Sequence, residues 1–114
     1  AAETGGLSGA PLLEMSTHVL AAMARHLAGN GPALIGAGGV ATGWQAYAKI
    51  LVGASLVQLY TALALHGPEL PARVISELAA LLRADGHDSI EAARGSIPDA
   101  GAAIRHALHL AQNV

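Results

Sequence analysis

The sequence contains no cysteine and no phenylalanine, and aromatic residues make up only 3 % of its 114 positions. Without cysteine there is no disulfide scaffold, no thiolate metal ligand and no thiol redox chemistry, while the compartment stays open. Charge is scarce as well: 12 % of residues are charged, with six Lys or Arg against eight Asp or Glu. Lys49 and five arginines are scattered without forming a basic stripe, so nucleic acid is not an expected partner. No apolar run approaches the ~20 residues of a membrane-spanning helix.

What the chain has is apolar content, 53 %, and fourteen glycines. That balance predicts an α/β protein whose elements are buried on most sides. The organising stretch is residues 33–61. It reads as a short apolar strand Ala33–Ile35, the turn Gly36-Ala37-Gly38-Gly39, a helix from the cap Thr42 to about Val52, and a strand Ala54–Leu59 ending at Tyr60-Thr61. Three glycines in four positions let backbone N–H groups approach an anion, and the positive end of the following helix is expected to add to the attraction. Two parallel strands with a phosphate at their carboxyl ends is the arrangement of strands 7 and 8 in a (β/α)₈ barrel.

Around this stretch lie a glycine-rich loop, Thr4 to Leu12, and a helix from the N-cap Ser16 over Thr17–Ala28, with Val19, Leu20, Met23 and Leu27 inward. Gly29-Asn30-Gly31-Pro32 stops it. A long helix over 67–85 turns Val74, Leu78, Leu81 and Leu82 to the core, with Glu69 and Arg73 spaced for an ion pair. A short helical turn over 90–94, a linker-like stretch Gly95–Pro98 and a last helix to about Ala111, with Ile104, Ala107, Leu108 and Ala111 on one face, complete the chain. Trp44 is read as packing, Lys49 as facing water, and Gln58 as forming a structural hydrogen bond or touching a ligand. That last helix docks either on the barrel or on another subunit.

Six histidines invite a metal reading, but His106 with His109 and His18 with His26 have no carboxylate at ligand spacing. They are read as solvent-facing, with no metal site. No paired carboxylates stand near the glycine turns, and Ser8 and Ser55 lack His and Asp partners for a triad. Two strands cannot make a finished sheet, and Ala1-Ala2-Glu3-Thr4 reads as the middle of a loop. The expectation is therefore a piece of a larger protein, the phosphate-binding part of an incomplete TIM barrel, with no catalytic residue of its own.

Thr4-Gly-Gly-Leu-Ser-Gly9 before Pro11-Leu12, Leu34-Ile-Gly-Ala-Gly-Gly-Val40, Lys49-Ile50, Gly53-Ala-Ser-Leu-Val-Gln-Leu-Tyr-Thr61, Gly67-Pro68 and Glu77-Leu78 occur in order over residues 3 to about 95. Together they resemble the C-terminal part of dihydroorotate dehydrogenase. The Gln58-Leu-Tyr-Thr61 ending is similar to the membrane-associated, quinone-using class 2 enzymes, and Ala37 stands where Val is common. The resemblance implies a (β/α)₈ barrel that carries FMN, oxidises dihydroorotate to orotate in pyrimidine biosynthesis and passes electrons to quinone. It implies that Gly9 approaches the flavin and that Gly39, Tyr60 and Thr61 hold the FMN phosphate. It places the serine base, the flavin-binding lysine and asparagines, and the N-terminal helices that touch the membrane upstream of Ala1, so Ser8 is not the base. Location follows as peripheral, on the cytoplasmic face of a bacterial cell membrane or on the mitochondrial inner membrane. Residues 1–95 are then barrel and 96–114 a C-terminal helical extension. The competing readings are another phosphate-binding barrel enzyme and a non-catalytic half-barrel that folds only with a partner.

Overall fold

The computed structural model describes residues 12–27, 30–59 and 61–114. Its elements run α1 (Leu13–Leu27), β1 (Ile35–Gly36), α2 (Gly43–Val52), β2 (Leu56–Val57), α3 (Thr61–His66), α4 (Leu70–Ala84), α5 (Ile90–Ala93) and α6 (Ala100–Asn113). β1 and β2 are parallel neighbours, with Ile35 opposite Leu56 and Gly36 opposite Val57. The described residues thus make an α/β arrangement of two strand–helix units, without a closed barrel. Both strands are shorter than the sequence suggests. Each has one hydrogen-bonded neighbour, and β1 runs straight into a glycine turn that ends the ladder.

α2 is the centre of the fold. Thr42 and Gln45 close a capping box at its start, and Gly53, at φ 133°, ends it. Every residue of α2 except Trp44 is buried, because α1, α4, α6 and both strands surround it. Tyr47, Ala48 and Leu51 are wholly buried and share one core with Leu20, Ala21, Leu81, Ala103 and Ala107. Trp44 packs against the edge of that core, as its sequence context suggests.

Several expectations need correction. α1 begins at Leu13, so Ser16 lies inside its first turns and caps nothing. No breaker stands between Leu12 and Leu27 to delay the helix. Its buried face is Leu13, Thr17, Leu20 and Ala21, while Val19 and Met23 are exposed with Met15 one turn before them. Thr17 is tolerated inside because its hydroxyl donates to the Leu13 carbonyl at 2.6 Å. α6 differs less: Ala107 is buried and Ile104 and Ala111 pack on the core as expected, but Ala100 and Ala103 are buried in place of Leu108, which is 37 % exposed. Small side chains let α6 lie close on α2, and close approach outweighs the larger apolar residue one position on.

α6 docks within the chain, on α1, α2 and α4. Gly95–Pro98 is not free of the core either. The Gly95 and Ile97 N–H groups donate to the Ile50 and Leu51 carbonyls at 3.0 Å each, satisfying the open end of α2. Among the described residues Glu69 and Arg73 form no ion pair; Glu69 is the cap position of α4. α3, which follows β2 directly, has no expected counterpart in the sequence reading.

His106 is not solvent-facing in the way its spacing implies. Its Nε2 lies 2.9 Å from Asp85 Oδ1, and the Tyr47 hydroxyl donates to Asp85 Oδ2 at 2.5 Å. This carboxylate at the end of α4 joins α2 to α6. Burial alone would raise the Asp85 pKa, but the hydrogen bonds from Tyr47 and His106 and the charges of His106 and His87 outweigh it and hold it below the ordinary carboxylate value. Burial, then the bond to Asp85 and its charge, push the Tyr47 phenol well above its usual range. His18, His26 and His109 do face solvent, and among the described residues no three His, Asp or Glu are grouped to hold a metal.

Candidate functional site

The turn after β1 is the feature with unanswered chemistry. Gly38 and Gly39 take φ of 96° and 78°, left-handed backbone that glycine adopts freely. Among the described residues no acceptor lies on the N–H groups of Ala37, Gly38, Gly39 or Val40. Four adjacent donors at the carboxyl end of a parallel strand form a cradle suited to an anion.

The glycine at 39 is required for a reason the sequence does not reveal. A Cβ there would lie 2.5 Å from the Leu13 nitrogen and 2.6 Å from its Cα, so the start of α1 packs directly on the turn. At Gly38 a Cβ would meet Ser16 Oγ at 2.8 Å. The Ser16 hydroxyl bonds the Gly38 carbonyl at 3.1 Å and lies 2.5 Å from the Lys49 ammonium.

Lys49 is the largest departure from the sequence reading. It is wholly buried, and burial lowers its pKa to about 8. The signal was present: Gly43–Val52 carries a single charge, and its residues on every side are mostly apolar, the pattern of a helix covered nearly all round.

The start of α2 does not serve the cradle as expected. Gln45 Oε1 accepts from Ala41 N at 2.7 Å and Thr42 N at 3.1 Å, and Thr42 Oγ1 accepts from Gln45 N. Glu77 Oε1 accepts from Gly43 N at 2.7 Å. The protein itself satisfies the positive end of this helix, and a carboxylate of α4 sits on it. Glu77→Ala is accordingly expected to cost about 1 kcal/mol in chemical denaturation, and Glu77→Gln less, since the amide oxygen still accepts.

The other site residues are placed unevenly. Gly9 and Tyr60 lie outside the described residues, and Thr61 is the first residue of α3. In sequence, Tyr60 stands three residues past Val57 as Gly39 stands three past its partner Gly36. Gln58 donates its N–H to the Gly36 carbonyl at 2.8 Å, while its side chain is exposed and unbonded among the described residues. At the opposite, amino ends of the strands a cleft of ≈ 520 Å³ is lined by Arg25, Leu34, Gly53, Ser55 and Arg94, away from the turn.

Two parallel strand–helix units with a run of free backbone donors past β1 define an α/β protein whose glycine turn is suited to an anion. Comparison with known proteins makes the family definite. A family model described as dihydroorotate dehydrogenase matches residues 1–82. "Dihydroorotate dehydrogenase (quinone)" of Azorhizobium caulinodans is 57 % identical over 94 residues, 82 % of this chain and 26 % of that protein. The mitochondrial enzyme of the same name from Oryza sativa is 52 % identical over 96 residues, 84 % of this chain and 20 % of that protein. The crystal structure of the Eimeria tenella dihydroorotate dehydrogenase in complex with ferulenol superposes with TM-score 0.77 at 41 % identity, covering 82 % of this chain and 25 % of that one. The chain belongs to the dihydroorotate dehydrogenase family, and it spans about a quarter of the length of these relatives.

Proposed function

We propose that the chain is the C-terminal, cofactor-phosphate-binding portion of a class 2 dihydroorotate dehydrogenase, an enzyme that oxidises dihydroorotate to orotate and reduces quinone. The single observation that carries this reading is the run of unanswered N–H groups from Ala37 to Val40 beside a buried cation, in a chain of this family. The donors fit a phosphate, and Gly39 would hold the FMN phosphate with Tyr60 and Thr61, while Gly9 approaches the flavin. When bound, FMN supplies the two-electron relay between dihydroorotate and quinone. The chain's own residues bind and orient. None is assigned a catalytic proton transfer, and the base is placed in the upstream sequence.

Uncovered apolar surface supports further protein around this piece. Ile35 and Leu56, opposite each other in the strands, are 57 % and 62 % exposed. Met15, Val19 and Met23 form an exposed stripe at helical spacing on α1. Both fit the neighbouring strands and helix of a (β/α)₈ barrel. No helix among the described residues is long and apolar enough to cross a membrane, and peripheral attachment through upstream helices is part of the same proposal.

Two measurements test it. The full polypeptide that carries this chain is expected to purify with FMN and to reduce quinone with dihydroorotate, whereas the 114-residue chain alone is expected to do neither. Robust dihydroorotate oxidation by the isolated chain would overturn its role as a binding portion. An upstream sequence without a serine base, a lysine and asparagines would favour another phosphate-binding barrel.

A further inference from the structure

Lys49 is a wholly buried lysine, and among the described residues no carboxylate answers it. Its stem passes beneath β1: a Cβ on Gly36 would lie 2.9 Å from Lys49 Cβ and 3.2 Å from its Cγ. Its ammonium ends on Ser16 Oγ, and that hydroxyl bonds the Gly38 carbonyl. One proton on Ser16 is shared between Gly38 O at 3.1 Å and Leu13 O at 3.2 Å, while the oxygen accepts from Lys49. The chain Lys49–Ser16–Gly38 therefore links a buried cation to the turn through the Gly38 carbonyl.

We propose that Lys49 is a positioning residue for the cofactor phosphate, holding the glycine turn through Ser16 and supplying the positive charge that the backbone donors lack. The proposal rests on the reading of this turn as the FMN-phosphate cradle. A buried ammonium with no carboxylate partner among the described residues is costly. A phosphate dianion on the adjacent donors is the chemistry that answers such a charge.

The sign of the pH effect follows. Burial alone lowers the Lys49 pKa to about 8, with no charged group of α1, α2, α4 or the strands contributing. Glu14 and His18, the charged or titratable neighbours of Ser16 on α1, are exposed. A nearby dianion favours the protonated form, so FMN binds more weakly as pH rises through about 8 and the amine loses its proton.

The test uses the full polypeptide carrying this chain, with apoprotein titrated with FMN and with riboflavin by flavin fluorescence between about pH 7 and 9. Wild type is expected to prefer FMN and to lose that preference as pH rises. Lys49→Met is expected to weaken FMN on the order of tenfold, to leave riboflavin unchanged and to flatten the pH dependence. Ser16→Ala, which keeps the lysine but breaks the relay, is expected to weaken FMN alone by a smaller factor, and serves if Lys49→Met fails to fold. Equal weakening of both flavins, or unchanged FMN affinity in the variants, would overturn the role of Lys49. A wild type that binds FMN no better than riboflavin would overturn the cradle reading itself.

Discussion

Gly39→Ala is expected to destabilise the protein by about 3 kcal/mol or more, while Gly86→Ala, at the same φ, costs about 1 kcal/mol. The two glycines make a matched pair. Both have φ of 78°, so both substitutions force alanine into the left-handed region. A Cβ at Gly86 meets nothing within 4 Å, whereas at Gly39 it would press on Leu13 N, Cα and Cβ at 2.5–2.6 Å. Two of those atoms belong to the helix backbone, so no rotamer change relieves the contact, and either α1 or the turn must shift. The same shift would displace the Ser16 hydroxyl from the Gly38 carbonyl, so on the proposed reading Gly39→Ala in the full polypeptide is also expected to lose bound flavin while Gly86→Ala retains it. Denaturation midpoints and flavin content of the two variants, measured side by side, decide it. Equal costs would show that φ alone matters at Gly39.

Asp85→Ala is expected to cost about 2–3 kcal/mol near neutral pH, more than Tyr47→Phe. The Tyr47 phenol is wholly buried, and Asp85 is its one acceptor among the described residues. Truncating the carboxylate leaves a buried hydroxyl unpaired and frees His106 of α6 from the end of α4. Tyr47→Phe removes donor and demand together, and Asp85→Asn, which still accepts from the phenol, falls between. The pH dependence has a defined sign. The folded Asp85 pKa lies below the unfolded value of about 3.9, so the unfolded chain takes up the proton first as pH falls. The contribution of Asp85 is complete above that value and is lost as pH falls through the folded pKa. The Tyr47 phenol, raised in the fold, adds a second loss as pH climbs past the unfolded value of about 10. Asp85→Ala is expected to flatten the acid limb, and an unchanged acid limb would assign that loss to other carboxylates.

Much of the local architecture was legible in residue order. Thr42 and Gly53 bracket α2, and Val74, Leu78, Leu81 and Leu82 turn inward on α4 as periodicity requires. The glycine turn and the parallel pairing of the strands around it were also visible, because tight turns and crossover lengths are local constraints. Which face of α1 is buried was not, nor that Leu108 of α6 stays outside while Ile104, Ala107 and Ala111 pack inward. Both helices offer two apolar stripes, and the choice between them depends on what packs alongside.

By itself, then, the sequence determined the bounds of α2, the inward stripe of α4, the glycine turn at Gly36–Gly39, and the family whose motifs it carries. These are set by backbone conformational preference, capping and residue spacing. Tertiary structure alone decided that the start of α1 closes on Gly39, that Glu77 occupies the end of α2 expected to face a phosphate, and that Lys49 is held inside, against Ser16. Each is a contact between residues more than twenty positions apart, and no local preference encodes which distant group will arrive there.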